Sequence, residues 1–193
     1  MPAVRGGGKG TGVSCADDMK ESNYTEYYNR ITAPLRGKDR AVHALNLANR
    51  ILTAIVYATY ALLLIGCCVR GAQAGGAAGA VRGVLPYVLI PGVSFVVLSV
   101  VRGRINEKRP YETWDIEQLI PKKTKGHSMP SRHIFSTTII AMCVLTRSFP
   151  LGGLYLLMSA FFAWIRVIGG VHYPRDVLAG YLTGVLCGLL LFV

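Results

Sequence analysis

The sequence predicts an all-α protein: a polytopic transmembrane helical bundle of about five spans, with a polar front end. Three observations carry that expectation. The chain is 52% hydrophobic with a mean hydropathy of +0.40, high for a soluble domain. Only 16% of it is charged, and most of that charge lies before residue 133. Its apolar residues gather into long runs, and a full crossing needs roughly 20 of them, with a range of about 17–25.

Five runs stand out. The first covers about Leu45 to Val69 and is followed by a Gly/Ala-rich loop from Gly71 to Gly83. The second covers about Val84 to Val101. The third, about Ile134 to Leu145, is short of a span unless it reaches back over Pro130, Ser131, Arg132 and His133. Polar residues at that depth are tolerable only where they line a pocket. The fourth covers about Leu151 to Val167 and the fifth Val177 to Val193. In the fifth, Gly180, Gly184 and Gly188 share one helix face, against which a neighbouring helix can close. Residues 1–40 read as a separate polar tail ahead of a membrane-embedded domain over 41–193. Its glycine-rich start implies disorder to about Lys20. Tyr24, Tyr27, Tyr28, Ile31 and Leu35 suit a short interfacial helix interrupted at Pro34.

The net charge is +11, which suits either nucleic acid or anionic lipid and phosphate. Charge broken up by apolar spans favours the membrane. No nucleic-acid-binding motif is visible, and such a partner is set aside. Cys15, Cys67, Cys68, Cys143 and Cys187 contain no C-x-x-C pair, and four of them lie inside apolar runs. They read as small packing residues, neither a disulfide nor a metal framework.

Three polar clusters punctuate the runs: Arg102 to Pro110, Pro130 to His133, and Arg166 with His172 and Asp176. Charge at a membrane boundary is costly and marks function. Arginine grips phosphate oxygens. Histidine attacks phosphorus or carries a proton, and a carboxylate holds the imidazole in one tautomer. Alternation of the spans puts all three clusters at one face of the bundle. Together they point to phosphoryl chemistry at a membrane surface.

The order and spacing resemble the type 2 phosphatidic acid phosphatases, the lipid phosphate phosphatases, in a small bacterial-type form. That family carries K-x6-R-P, then P-S-G-H, then S-R-x5-H-x3-D. Arg109-Pro110 fits the first motif, with Arg102 in the lysine position. Pro130, Ser131 and His133 fit the second, with Arg132 replacing glycine. Arg166, His172 and Asp176 fit the third, with Ile165 replacing serine. The resemblance covers about residues 45–193. Many members have six spans, against five counted here.

The resemblance implies a membrane phosphatase acting on a phosphorylated lipid, through a phosphohistidine on His172. Asp176 orients that imidazole, and His133 is the general acid and later the base for water. Arg102, Arg109, Ser131, Arg132 and Arg166 bind the phosphate. Pro174 suits the first turn of the last helix, which places Asp176 near the positive helix end. No cofactor is expected. Two histidines without a cluster of Asp, Glu or Cys make a poor metal site. Polyprenyl pyrophosphate, phosphatidylglycerophosphate and phosphatidic acid are implied as substrates without a ranking. A phosphotransferase, or a non-catalytic lipid-phosphate binder or transporter, would use the same cluster. Taken singly, the residues have plainer readings: Arg109 as an anchor, Arg166 and Asp176 as a structural ion pair, Tyr111 and Trp114 as interface-belt aromatics, His127 as a loop residue. Lys122, Lys123 and Lys125 read as solvated or headgroup-facing charges. A five-span arrangement puts 18 of the 21 Lys and Arg residues on one side. The positive-inside rule then makes the active site of this multi-pass cell-membrane protein face the cytoplasm. Oligomeric state is not legible in the chain.

Overall fold

The computed structural model describes residues 15–193. The stretch expected to be disordered lies outside the described residues as far as residue 14, and its last part is helical, because α1 spans Cys15–Thr32. That helix stops just before Pro34, which has no N–H and whose ring opposes a continuing helix. A turn with Gly37 at φ +70° then leads into α2.

α2 is assigned from Asp39 to Ile105 but consists of two limbs, 39–74 and 77–105. Between them Gly76 sits at φ 58° and ψ −147°, a conformation essentially reserved for glycine. The limbs run antiparallel. A Cβ on Gly71 would lie 2.3 Å from Gly79 O, and one on Gly83 would lie 2.8 Å from Cys67 O. Tyr60 Oη donates to Tyr87 O across the limbs at 2.6 Å. The loop expected over 71–83 is therefore mostly helix, with the turn confined to Gly75 and Gly76. Alanine favours helix, and residues this small let the two backbones touch.

A single turn, α3, follows at Pro110–Thr113. The bundle is completed by α4 (Arg132–Leu145), α5 (Phe149–Ile168) and α6 (Pro174–Leu189), with a 3₁₀ turn at Leu190–Phe192. No strand occurs among the described residues. At 14 residues α4 is short for a span, and it starts at Arg132, so it does not lengthen over Pro130 and Ser131. It is instead the central helix, buried from Thr137 to Val144.

The glycine face of α6 lies on α4. A Cβ at Gly180 would stand 2.6 Å from Ser131 O, one at Gly184 2.7 Å from Thr138 Cβ, and one at Gly188 2.4 Å from Met142 Cβ. On its other side α4 meets α5 through hydroxyls: Ser159 Oγ lies 2.8 Å from Thr137 Oγ1 and 2.7 Å from Thr138 Oγ1. Polar pairs of this kind join helices where water is absent. Outside, the bundle is apolar. Leu62, Ile65, Val96, Leu157 and Leu186 are each more than half exposed, a surface too large and continuous for water. α2, α5 and α6 are long and apolar enough to cross a membrane.

α1 docks on the loops at one end of the bundle. Tyr28 is fully buried, and its hydroxyl is shared between Glu117 O at 3.0 Å and Ile168 O at 3.1 Å. The Tyr24 ring stacks on Trp114 at 5.7 Å and meets the edge of Tyr173 at 5.2 Å. Trp114 thus packs within the protein, and Tyr111 donates to Thr124 O.

Candidate active site

The same end of the bundle carries the three polar clusters. α2 closes on Asn106, in left-handed geometry at φ 42°, with its N–H on Arg102 O. Arg102, on the last turn, is buried, and its Nη1 donates to Pro130 O at 2.6 Å. Glu112 gathers the connecting loop: its carboxylate accepts from Gly126 N at 2.7 and 3.0 Å and from Arg109 N at 3.4 Å. Arg109 is buried as a result. Its Nε donates to Gly126 O and its Nη1 to Val171 O, each at 3.1 Å. One guanidinium therefore ties the 106–131 loop to the 169–173 turn.

That turn is held from a second direction by Ile120, which packs with Ile165 and Val171. Its N–H donates to Gly169 O at 3.2 Å. A side chain at Gly169 would collide with Ile120 Cδ1 at 2.4 Å, so glycine is required for this approach. Ile165, which stands where the family motif has serine, is fully buried in this contact. It is a packing residue.

His172 closes the turn and is buried. Its Nδ1 lies 3.6 Å from Asp176 Oδ2 and 3.4 Å from Ser128 Oγ. Asp176, the third residue of α6, is held in place: its Oδ2 accepts from Tyr173 N at 3.1 Å and from the Ser128 hydroxyl. Burial pushes His172 down to about 4, against the opposing pull of the Asp176 hydrogen bond and charge. The imidazole is therefore neutral at neutral pH. With Nδ1 facing acceptors, the lone pair belongs on Nε2.

Ser131 precedes α4, is buried, and donates its N–H to Asp176 O at 2.9 Å. His133 sits in the first turn, edge-on to Phe162 at 5.5 Å. Arg132 is exposed, with its guanidinium 6.0 Å from the Phe95 ring centre.

A cavity of about 310 Å³ is lined by Arg102, Arg109, Lys122, Arg132, His133 and His172. Thr124, Lys125 and Gly126 also line it, as does His127 from a loop position at φ 51°. Arg166 and Ser131 lie beside this lining set. Arg166 stands within electrostatic reach of His133, Arg109 and Lys122. Among the described residues, Arg102, Arg109, Arg132 and Arg166 make no ion pair, and the structural pairing of Arg166 with Asp176 does not form. At this site five buried atoms lack a hydrogen-bond partner among the described residues: Arg102 Nε, Arg166 Nε, Ser131 Oγ, His133 Nε2 and Asp176 Oδ1. Buried polar atoms left so are costly, and the first four are groups that an oxyanion would satisfy.

A family model for the PAP2 superfamily matches residues 83–193. The chain belongs to the PAP2 superfamily. That match takes in the return limb of α2 from residue 83 and everything after it, including all three motifs, and leaves out α1 and the first limb. Undecaprenyl-diphosphatase BcrC of Bacillus subtilis (strain 168) is 27% identical over 161 residues, which cover 79% of this chain and 80% of that protein. The bacitracin transport permease protein BcrC of Bacillus licheniformis is 31% identical over 108 residues, 55% of this chain and 53% of that one. Among solved structures, Aquifex aeolicus LpxE superposes with a TM-score of 0.61 at 21% identity, covering 86% of this chain and 92% of its own. A PAP2-type phosphatidylglycerolphosphate phosphatase from Bacillus subtilis superposes with a TM-score of 0.53 at 18% identity, covering 91% and 94%.

Two residues of this PAP2 site escaped the sequence reading. Ser128 is fully buried and bridges Asp176 and His172. Lys122 is half-buried at the cavity wall, whereas Lys123 is exposed. Burial pulls the Lys122 ammonium down to about 8, reinforced by Arg109, Arg166, Arg102 and Arg132.

Proposed function

We propose that this PAP2 protein is a membrane phosphatase that hydrolyses a lipid phosphate or lipid pyrophosphate through a phosphohistidine intermediate. The observation that carries the reading is His172: neutral, buried, held at Nδ1, and lining one cavity with Arg102, Arg109 and Arg132, which make no ion pair among the described residues. The names of its relatives, one a diphosphatase of a polyprenyl lipid and one a phosphatase of a phospholipid, agree with it.

His172 Nε2 attacks phosphorus as the bond to the leaving oxygen breaks. Arg102, Arg109 and Arg166 neutralise the charge growing on the phosphoryl oxygens, together with Ser131 and Arg132. His133 gives a proton to the departing oxygen. It then takes one from the water that cleaves the P–N bond, releasing phosphate and restoring His172. Asp176, steadied by Ser128 and Tyr173, stabilises the imidazole as it gains charge. On this reading the reaction needs no metal, because apart from Asp176, which His172, Ser128 and Tyr173 engage, the side chains gathered here are cations and imidazoles, a set that repels a divalent ion. The two limbs of α2 with α4, α5 and α6 make five crossings, and the site opens at one membrane face.

The test is phosphate release from a panel of lipid phosphates and diphosphates in detergent, with excess chelator. Wild type is expected to release phosphate and to carry acid-labile label from a phosphate-labelled substrate. His172→Ala is expected to fold, to carry no label and to lose turnover by about 10,000-fold or more. A metal requirement would remove the metal-free mechanism. Binding of lipid phosphate without any release would favour the binder or transporter.

A further inference from the structure

Resting on the phosphatase reading above, we infer that the site is built for a lipid diphosphate, and that Lys122 holds the inner phosphate while Arg102, Arg109 and Arg166 hold the outer one. Charge is the first ground. A phosphomonoester carries about −1.5 to −2 at neutral pH, which three arginines already match. Lys122, Lys125 and Arg132 add three further cations at the same cavity, and among the described residues none of them faces a carboxylate within ion-pair distance. Six like charges close together repel one another steeply where water is scarce. An anion with more than one phosphoryl group relieves that repulsion.

Placement is the second ground. Lys122 is not a lysine adrift in a basic loop. Ile120 is locked under Gly169, and the Lys122 N–H donates to Gln118 Oε1 at 3.2 Å. This anchoring aims Lys122 at the cavity and leaves Lys123 outside. Lys122 shares the cavity wall with Arg102 from α2, Arg109 and Lys125 from the loop, Arg132 and His133 from α4 and His172 from the turn, and Arg166 of α5 acts on it electrostatically. The cavity, about 310 Å³, is roughly ten times the ~30 Å³ share of one water, which leaves room beyond a single phosphoryl group.

The chemistry is consistent with this placement. His172 Nε2 bonds to the outer phosphorus, and the bond from that phosphorus to the bridging oxygen breaks. The bridging oxygen leaves with the electron pair, as part of a lipid monophosphate. Water then cleaves the P–N bond and yields inorganic phosphate. An ammonium on the inner phosphate stabilises the charge that collects there, and a compact point charge needs no fixed orientation to do so.

The experiment compares kcat/KM for a diphosphate and a monophosphate bearing the same polyprenyl tail, in detergent with chelator. Wild type is expected to prefer the diphosphate. In Lys122→Met, and in Lys122→Gln as a second variant should the first not fold, the diphosphate-to-monophosphate ratio falls about 10- to 100-fold, the worth of one charge-assisted hydrogen bond. Lys122→Arg restores most of it, and Lys123→Met keeps the wild-type ratio. An unchanged ratio in both Lys122 variants overturns the inference, as does an equal fall in Lys123→Met. Wild type active on the monophosphate and inert on the diphosphate overturns it while leaving the phosphatase reading in place. Inactivity on both substrates removes both.

Discussion

His172 and His133 are both imidazoles at the ends of apolar runs, yet their surroundings differ. His172 has a carboxylate and a hydroxyl facing Nδ1. His133 has an aromatic edge beside it and no partner on Nε2 among the described residues. In the proposed mechanism the first environment suits a nucleophile, and the second a nitrogen that exchanges protons. His133→Ala is therefore expected to slow hydrolysis of lipid alkoxide esters by about 100- to 10,000-fold, and that of a nitrophenyl phosphate far less, since an activated leaving group needs no acid. Equal losses on the two substrates would remove His133 from that role. Both histidines, with Asp176 and the arginines, were legible because charge is expensive at the end of an apolar run. Ser128 and Lys122 were not. Ser128 is one hydroxyl in a polar loop, and Lys122 is one of three neighbouring lysines. That Lys122 and Lys125 reach the cavity wall while Lys123 stays outside depends on how the loop is anchored, in part by Ile120 meeting Gly169, a contact between segments distant in the chain.

The helices were legible for a similar reason: long apolar runs leave the backbone few ways to satisfy itself except as helix. What escaped was how they end and what they touch. The Gly/Ala stretch read as a loop, but small residues without a φ > 0 requirement continue a helix, and only Gly76 demands the turn. α1 read as an interfacial helix, because tyrosines that suit a bilayer surface suit a protein surface equally. Here Tyr28 reaches the backbone of both active-site loops. The glycine face of α6 carries a prediction of its own. Gly188 faces Met142, a flexible side chain away from the site, whereas Gly180 faces the backbone of Ser131, whose N–H holds Asp176 O. Gly188→Ala is expected to cost stability of about 1–3 kcal/mol by overpacking, with activity per folded molecule retained. Gly180→Ala is expected to lower kcat itself, because Ser131 must move and the α4 terminus moves with it. Thermal unfolding and kcat on folded fractions separate the two, and equal kcat in both variants would show that the Ser131 contact does not set the site.

For the whole molecule, charge is distributed by end. Among the described residues, α1 and the turn after it, both outer ends of α2, the loop that follows, the start of α4 and the segment from Arg166 to Arg175 hold 16 of the 19 Lys and Arg residues, and Arg70, Arg82 and Arg147 lie toward the other end. Setting aside Arg102, Arg109, Arg132 and Arg166 as proposed phosphate ligands leaves 12 against 3. The turn at Gly75 and Gly76 brings the return limb back to the starting end, so α1 and the active-site loops meet there, as the Tyr28 contacts require. On the positive-inside rule we propose that the site faces the cytoplasm, where a phosphatase would take lipid phosphates from the inner leaflet. Cysteine labelling in intact cells tests this with a membrane-impermeant maleimide, in a background from which the five native cysteines have been removed. Ser128 is unsuitable as a reporter because it is fully buried, whereas Lys123 beside the site and Ala77 at the hairpin turn are both exposed. Lys123→Cys is expected to react only after permeabilisation and Ala77→Cys without it. The reverse pattern would turn the protein over in the membrane and hand its catalytic cavity to lipids of the outer leaflet.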